Sequence, residues 1–260
     1  EIIKKKNNLK RINLVDVDFN QSSGFSKITP KSNHYITTCF DIAIKLLKNN
    51  VSNKFINGPI SKKTFLKNKF NGITEYLSYK LKCTNKEVML IFNSKISVTP
   101  ITTHIPLFKV AKSLKINNII YKINLINNFY KKYFKKNILI GVTGLNPHCY
   151  SPYYKNEEKN VIIPAIKKLK RKIKILGPIS ADTIFLKKNI NKFDVIVGMY
   201  HDQVLSPMKT IFEQNAINIT LGLPFIRVSP DHGVGEDIVG KKIANTDSLV
   251  QCLNFFKKIK

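Results

Sequence analysis

The sequence predicts an α/β fold with a largely parallel or mixed sheet. Apolar runs of about four to eight residues, typical of buried strands, alternate along most of the chain with segments of helical periodicity. Several of these runs end abruptly in polar side chains, as buried strands do at the edge of a ligand-binding sheet. We find no internal repeat, no low-complexity linker and no clear domain boundary, so we expect residues 1–260 to form a single region.

The N-terminal half alternates strand-like and helical segments. Residues 12–19 alternate apolar and polar side chains, which predicts a strand, and residues 33–47 have helical periodicity with Ser32 or Asn33 as N-cap. His34 has no chemically capable neighbours, and we interpret it as a surface or capping residue. The next predicted elements are a strand, Gly-Pro turn and helix start in 54–65, strands in 87–94 and 96–104, and helices in 106–114 and 117–134.

The C-terminal half continues the alternation. Residues 174–185 predict a strand, a Gly-Pro turn and a helix with Ser180 as N-cap and Asp182 in its first turn. The other predicted elements are apolar, strand-like runs in 137–148, 194–200 and 217–226, a helix in 159–172, and a loop followed by a terminal helix in 237–260.

The net charge of +28, from 44 basic and 16 acidic residues, is compatible with a nucleic-acid partner. Only three of the basic residues are arginine, however, and the lysines are spread over the whole chain among abundant Asn and Ile. A nucleic-acid binder more often clusters its charge and uses Arg for phosphates and base edges. Lys, Asn and Ile share A/T-rich codons, so we attribute the charge to compositional bias and expect no nucleic-acid partner.

The sequence also predicts where the protein resides. It contains no run of about 18 uncharged apolar residues, so we expect no transmembrane helix. Residues 1–14 lack the apolar core and cleavage site of a signal peptide. The cysteines are too far apart for a zinc knuckle or a small disulfide scaffold, which fits a cytoplasmic location. The first residue is Glu1 rather than Met, as in a fragment of a longer chain.

Four of the five histidines end apolar runs or occupy a Gly-adjacent turn: His104, His148, His201 and His232. If the strands are parallel, three of them meet at one edge of the sheet, and three neutral imidazoles with open positions can bind a catalytic divalent metal. On spacing alone, three independent histidines bonded to backbone remain an alternative. GxGxxG after a strand, GxxxxGK[ST] and GxSxG do not occur, so three common nucleotide or hydrolase sites are unsupported.

Two helix starts carry weaker signals. The turn at 57–62 places Ser61 and Lys62 at a helix N-terminus, where backbone amides favour an anion. Thr74 and Glu75 lie near another helix start, and capping is the simplest interpretation of both.

Several segments occur in one order: TTHIPL at 102–107, GLNPH at 144–148, GPISADTIF at 177–185, MYHDQ at 199–203, Lys209, and NITLGLPFIRVSPDHG at 218–233. Together they resemble the PdxA family, the 4-hydroxythreonine-4-phosphate dehydrogenases of pyridoxal phosphate synthesis. The similarity spans about residues 55–250. MYHDQ and NITLGLPFIR are specific as a pair.

The resemblance implies a fold and a reaction. The fold is a catalytic region of two interlocked α/β lobes, akin to isocitrate and isopropylmalate dehydrogenases. The implied reaction is the oxidation of 4-phosphooxy-L-threonine by NAD or NADP to 2-amino-3-oxo-4-phosphooxybutanoate, which decarboxylates to 3-amino-2-oxopropyl phosphate. The family forms homodimers that build each active site from both subunits.

The resemblance also implies site residues. A divalent metal, whether Zn, Mg, Mn or Co, would be bound by His104, His148 and His201. The substrate would be contacted by Thr74, Lys209, Asn218 and Arg227, with Lys209 also catalytic. Asp182 and Asp202 could orient histidines or cationic side chains, or simply be helix-start and turn carboxylates. His232 could contact the cofactor or hold its own turn.

Several positions depart from the family pattern. Ile73 replaces a histidine, Val204 a glycine and Val234 a threonine, and residues 149–151 replace Ala-Gly-Glu. The family's N-terminal glycine-rich segment does not occur in this sequence. Two alternatives therefore remain open: a paralogue that oxidises another phosphorylated four-carbon hydroxy acid, and a decayed homologue that binds a ligand without catalysis.

Overall fold

The computed structural model describes residues 12–67, 69–153, 156–213 and 215–259. Most of the N-terminal stretch considered for a signal peptide lies outside these ranges. The described strands are β1 (Lys54–Ile56), β2 (Val88–Phe92), β3 (Ser97–Pro100), β4 (Leu139–Thr143), β5 (Lys174–Ile179), β6 (Val195–Gly198), β7 (Ile217–Leu221) and β8 (Ile226–Pro230). The described α-helices are α1 (Asn33–Lys48), α2 (Lys62–Leu66), α3 (Ile73–Lys80), α4 (Leu107–Ser113), α5 (Ile116–Phe134), α6 (Ile163–Leu169), α7 (Ala181–Ile184), α8 (Lys187–Ile190), α9 (His201–Phe212) and α10 (Asp247–Lys258).

Within the described residues, the eight strands form one mixed sheet in the order β1-β8-β7-β2-β3-β6-β4-β5. Strands β3, β6, β4 and β5 are parallel to one another, β1 is parallel to β8, and the pairings β2–β3, β2–β7 and β7–β8 are antiparallel. Four of the seven pairings are therefore parallel, which confirms the predicted α/β class. Because β3, β4 and β6 run in the same direction, the residues that follow them leave the sheet at one edge.

Both faces of the sheet are covered. One face packs against α5, α6 and α10 in the largest apolar cluster, and the other packs against α7, α8 and α9. Strand β2 contributes Val88 and Leu90 to the first cluster and Met89 and Ile91 to the second, as its two-residue periodicity requires. A third, smaller cluster lies among α1, α2, α3 and β1. Burial on both faces explains why the central strands are continuous apolar runs.

Three predicted elements differ from the structure. Residues 12–19 form no strand; Val15, Val17 and Phe19 are half-buried, as the alternation suggests, but the segment joins no sheet. Gly177 and Pro178, joined by a cis peptide bond, lie within β5, so the predicted Gly-Pro turn is wrong there. Asp182 lies in the first turn of α7, as predicted. Ser180 occupies the N-cap position without a side-chain capping bond.

The third difference is in the apolar run 217–226. It forms two antiparallel strands rather than one, because the chain reverses at Gly222, where φ is +88°. A Cβ at this position would lie 2.1 Å from the carbonyl oxygen of Lys86, so the turn needs glycine both for its backbone conformation and for space.

The remaining predicted helices and strands are confirmed within a few residues, with a π-helical turn at Glu158–Ile162 before α6. His34 is exposed, in agreement with a surface residue. Across the described ranges, no helix combines the length and the apolar character that a membrane crossing requires.

Candidate functional site

A cavity of about 520 Å³ lies against the hairpin of β7 and β8. The antiparallel register pairs Asn218 with Ser229 and Thr220 with Arg227. Side chains of directly paired residues point to the same side of a sheet, so these four share one face. Asn218, Ser229 and Arg227 line the cavity. The hairpin thus brings two predicted substrate-binding residues to one surface.

Arg227 is buried beneath this cavity, with 3% of its surface exposed. Its Nε donates to Oδ1 of Asn57 at 2.7 Å, and its Nη1 donates to the hydroxyls of Thr220 at 3.0 Å and Thr74 at 3.4 Å. Burial lowers the pKa of Arg227 to about 10, which still leaves the guanidinium charged at neutral pH. Among the described residues, no carboxylate forms an ion pair with it. The cavity therefore contains a fixed positive charge that no described carboxylate neutralises in a direct ion pair.

Thr74 lies beside Arg227 at the start of α3 and is buried. Its hydroxyl is 3.3 Å from that of Thr220. The preceding residue, Ile73, lines the same cavity and packs into the apolar cluster with Phe40 and Tyr76. An aliphatic side chain thus occupies the wall where the family pattern has an imidazole.

Three lysines add to the positive charge of the cavity: Lys62, Lys63 and Lys209. The Nζ of Lys209 donates to Oδ2 of Asp231 at 2.7 Å and to the Asp231 carbonyl at 3.2 Å, so this lysine is oriented and partly neutralised. Helix α2, which begins at Lys62, has only five residues. The lysine side chains, rather than the dipole of so short a helix, account for the attraction of an anion here.

His104 follows β3 and also lines the cavity. Its Nδ1 lies 3.1 Å from Oε1 of Glu75. Burial alone would raise the pKa of Glu75, but the hydrogen bond and charge interaction with His104 outweigh it and hold that pKa below its ordinary value. An ionised carboxylate only accepts hydrogen bonds, so Nδ1 carries a proton, and in the neutral imidazole Nε2 is then the nitrogen with the free lone pair.

His201 begins α9 after β6 and is paired in the same way, with Nδ1 2.7 Å from Oδ1 of Asp202. The imidazole rings of His201 and His104 have centroids 5.6 Å apart. The structure therefore brings together two of the three histidines that the sequence analysis assigned to a metal, each with a carboxylate at Nδ1.

His148 lies apart from this pair. It follows β4 in a short 3₁₀ turn, has a left-handed conformation (φ 53°, ψ 21°) and projects into solvent, with 81% of its side chain exposed. Its Nδ1 is 3.7 Å from Oδ2 of Asp182, one of the two carboxylates that the sequence analysis considered for orienting a histidine. Left-handed conformations are uncommon outside glycine and are often retained at functional positions.

The loop before His148 is held by Glu158, which is almost fully buried. Its Oε1 accepts the backbone N–H groups of Leu145 at 2.8 Å and Asn146 at 2.7 Å, and its Oε2 accepts the Asn146 amide at 2.8 Å. Burial raises the pKa of Glu158, but these hydrogen bonds outweigh that effect and leave it below its ordinary value. The loop is therefore fixed by an ionised carboxylate.

Gln203 joins the loop of His148 to that of His201. Its Oε1 accepts the Met199 N–H at 2.7 Å and the Thr143 hydroxyl at 2.8 Å, and its Nε2 donates to the Gly144 carbonyl at 2.8 Å. All of these groups are buried. The glutamine of MYHDQ thus connects the chain at the end of β4 to the chain at the end of β6.

The donor set fits a divalent cation. Each of the three predicted ligands has a carboxylate near Nδ1, the arrangement that orients metal-binding histidines and leaves Nε2 as the ligand atom. Within the described part of one chain, however, no three His, Cys, Asp or Glu side chains come together as a metal site. His104 and His201 would need a third ligand from elsewhere.

The remaining predicted positions divide between the cavity and the core. His232 and Val234 line the cavity, and Nδ1 of His232 donates to the Gly233 carbonyl at 2.9 Å, which leaves Nε2 free. Val204 is fully buried and packs against Gly198, where a Cβ would lie 2.4 Å from it. Val204 is therefore a core residue and does not obstruct the cavity.

The sequence analysis missed Asn57 and Lys122, and its capping interpretation of Glu75 was wrong. Glu75 makes no capping bond and instead contacts His104. Asn57 precedes the Gly-Pro turn and binds Arg227 across the sheet, a contact that no local pattern reveals. Lys122 could have been found, because helical periodicity places it on the same face as Ile119, Ile123 and Ile126.

Comparison with known proteins places these features in a family. The family model described as pyridoxal phosphate biosynthetic protein PdxA matches residues 1–256. The chain belongs to the PdxA family. A 4-hydroxythreonine-4-phosphate dehydrogenase of Sulfurihydrogenibium sp. is 39% identical over 253 residues, which cover 95% of this chain and 76% of the relative. A protein of Oceanobacillus iheyensis, provisionally named a D-threonate 4-phosphate dehydrogenase, is 32% identical over 250 residues, covering 94% and 75% of the two chains.

Solved structures agree with this membership. The 4-hydroxythreonine-4-phosphate dehydrogenase of Klebsiella pneumoniae superposes with a TM-score of 0.74 at 28% identity, covering 88% of this chain and 71% of that one. Isocitrate dehydrogenase from Methylococcus capsulatus, at 12% identity and a TM-score of 0.52 over 84% and 71% of the chains, shares the fold alone. The predicted likeness to isocitrate-type dehydrogenases is confirmed. PdxA membership and the dehydrogenase names of these relatives support an oxidoreductase.

Proposed function

We propose that this PdxA-family chain oxidises 4-phosphooxy-L-threonine with NAD or NADP, in pyridoxal 5'-phosphate biosynthesis. The product, 2-amino-3-oxo-4-phosphooxybutanoate, would then lose carbon dioxide to give 3-amino-2-oxopropyl phosphate. The observation that carries the proposal is one cavity lined by Thr74, His104, Lys209, Asn218 and Arg227, which are predicted substrate or metal residues far apart in sequence.

The charge of the cavity suits a small phosphorylated amino acid. Arg227 offers a buried positive charge without an ion-pair partner among the described residues, and charges interact more strongly there than in water. Lys62 and Lys63 add two further cations. Among the described residues, the buried Oδ1 of Asn218 has no hydrogen-bond partner, so it would accept a hydroxyl or ammonium proton from the ligand. The phosphate and carboxylate are thus matched by cations and the polar hydrogens by an acceptor.

We assign His104 and His201 to a divalent cation, with His148 supplied by a second copy of the chain. The exposure of His148, outside the pair formed by the other two, supports this division. A cation bound there would act as a Lewis acid on the substrate oxygens. The protein's part is to hold each imidazole with Nε2 free, through Glu75 and Asp202.

The nicotinamide cofactor would accept the hydride. His232, with Nε2 free in the cavity wall, is our candidate for the cofactor side. Lys209, held by Asp231, is the candidate for proton exchange with the ligand.

A second candidate function is oxidation of another phosphorylated four-carbon hydroxy acid. Ile73 favours it, because an aliphatic side chain stands in the cavity wall near Thr74 and Arg227. The provisional name of the Oceanobacillus relative shows that a different substrate has been assigned within this similarity range.

The test is NADH formation by the purified protein with each divalent metal, comparing 4-phosphooxy-L-threonine with D-threonate 4-phosphate. The first proposal predicts a higher kcat/KM for the former, and a preference for the latter selects the second candidate. Arg227→Met should lower kcat/KM by about 10- to 150-fold, since a charged hydrogen bond contributes about 1.5–3 kcal/mol. Arg171→Met, at an exposed site, is the control and should change little. If the metal-loaded protein turned over neither substrate, both proposals would fail and the hypothesis of a decayed, ligand-binding homologue would remain.

A further inference from the structure

Lys122 is a buried cation on the apolar face of α5. It is 9% exposed and lies between Ile119, Ile123 and Ile126, which are fully buried. Its Nζ donates to the carbonyl of Ile101 at 2.8 Å, which uses one of its three donors. Burial lowers the pKa of Lys122, and the nearby carboxylates of Glu87 and Glu75 act in the opposite direction. A buried ammonium is costly unless its donors are satisfied, so the other two need partners.

A small cavity of about 30 Å³ adjoins Lys122 and is enclosed by Glu75, Glu87, Thr103 and His104, among others. That volume suits a single water molecule, which needs two to four polar partners. Oε2 of Glu75 is buried with no hydrogen-bond partner among the described residues, whereas Oε2 of Glu87 already accepts the Ser78 hydroxyl at 2.6 Å. Within the described ranges, no carboxylate oxygen lies within 4.0 Å of Lys122 Nζ. One water in this cavity would satisfy both Lys122 and Glu75.

The groups that Lys122 reaches both control His104. Ile101 is the first residue of the turn that leads to His104, and its N–H donates to the Gly198 carbonyl at 2.8 Å. Glu75 contacts the His104 ring through its other oxygen. Gly72 lies close to both side chains, because a Cβ there would be 2.8 Å from Oε2 of Glu75 and 3.2 Å from Cε1 of His104. The backbone and the ring of His104 are thus both within reach of one ammonium group.

We propose that Lys122 is a positioning residue for His104, which it acts on through the Ile101 carbonyl and through one ordered water bound to Glu75. The water holds Glu75 in the rotamer that accepts the Nδ1 proton of His104. The imidazole is then fixed with Nε2 directed away from Glu75. The functional meaning of this arrangement rests on the proposed role of His104 as a metal ligand.

The test replaces Lys122 with methionine, which keeps the apolar stem and removes the donors, with Lys131→Met at an exposed position of α5 as the control. The readout is the tautomer of His104 in the metal-free protein, from imidazole ¹⁵N shifts assigned with His104→Gln. We expect the Nδ1-protonated form in the wild type and in the control, and a mixture of tautomers in Lys122→Met. An unchanged tautomer would overturn the proposal.

Thermal unfolding separates positioning from simple stabilisation. Methionine leaves the Ile101 carbonyl without its donor and Glu75 without the nearby cation, so we expect the Tm of Lys122→Met to fall together with the change of tautomer; a lower Tm with an unchanged tautomer indicates a structural role only. Metal affinity should fall by about 10–100-fold, as for other groups that orient a metal-binding histidine. If the wild type binds no metal, the proposed function fails, but the tautomer still decides the role of Lys122.

A high-resolution crystal structure of the wild type provides a measurement that needs no variant. It should contain a water molecule within hydrogen-bonding distance of both Lys122 Nζ and Glu75 Oε2. A cavity without water, or a direct ion pair between Lys122 and Glu75, would contradict the proposed water bridge.

Discussion

Replacing Gln203 by leucine should uncouple the two loops that carry His148 and His201. The substitution keeps the approximate size of the side chain but removes its amide. The buried Met199 N–H then loses its acceptor and the buried Gly144 carbonyl loses its donor. The Thr143 hydroxyl also loses a partner, but it can rotate towards another one.

The magnitude follows from these lost bonds. Each buried backbone group left unpaired costs about 1–3 kcal/mol. The added apolar burial of leucine offsets about 1 kcal/mol. We therefore expect the free energy of unfolding to fall by about 3 kcal/mol. The amide orientation of Gln203 is determined by its partners, since only its oxygen can accept the Met199 N–H and only its nitrogen can donate to Gly144.

Urea-induced unfolding followed by circular dichroism measures this change. With a slope of about 2–3 kcal/mol/M, the midpoint should fall by about 1 M at an unchanged slope. Gln251→Leu, an exposed position on α10, is the matched control and should stay within about 0.5 kcal/mol of the wild type. A loss below about 1 kcal/mol for Gln203→Leu would refute the reasoning that these hydrogen bonds hold the loops together.

Three further predictions concern the framework of the site. The pKa of Glu158 is lowered in the folded protein, so its contribution to stability is present above its unfolded pKa of about 4.3 and is lost as the pH falls through the lower folded value. In Glu158→Gln the new amide would face the amide of Asn146, and the acid-dependent loss of stability should be smaller than in the wild type. Unfolding measured in a series from neutral to acid pH checks this. Val204→Ala should destabilise the fold by about 1–3 kcal/mol through a core cavity, measured by urea unfolding, while leaving ligand affinity unchanged, and a loss of affinity would contradict its placement in the core. Gly222→Ala should cost about 2–4 kcal/mol by the same assay, because the new Cβ meets the Lys86 carbonyl and φ is positive; near-neutral behaviour would exclude the turn as described.

The sequence was sufficient for the class of fold because both faces of the sheet are buried. Apolar runs identified β3, β4 and β6, and their common direction placed His104, His148 and His201 after strands that end at one edge. The run 217–226 was misassigned because a reversal at Gly222 leaves the hydrophobic pattern uninterrupted. Pairing partners and strand order depend on contacts distant in sequence, which local periodicity does not encode.

The site was only partly predictable for a related reason. Most of the residues predicted for the site line one cavity, but His148, His201, Asp182 and Asp202 are not part of its lining. The contacts that support His104 and Arg227 could not be predicted, because Glu75 contacts His104 from 29 positions away and Asn57 contacts Arg227 from 170 positions away. Such contacts arise from tertiary packing, and the local sequence around Glu75 or Asn57 does not indicate them.

The central claim, a metal-dependent dehydrogenase whose site is completed by His148 from a second copy, is tested most directly by mixing two inactive variants. His104→Gln and His148→Gln are unfolded together, refolded and assayed for NADH formation with 4-phosphooxy-L-threonine. If the site is shared, half of the dimers are hybrids with one intact site each, so activity should return to about a quarter of the wild-type value. No recovery beyond that of either variant alone, in a preparation whose wild type is active, would contradict a shared site, and an inactive metal-loaded wild type would contradict the proposed reaction itself.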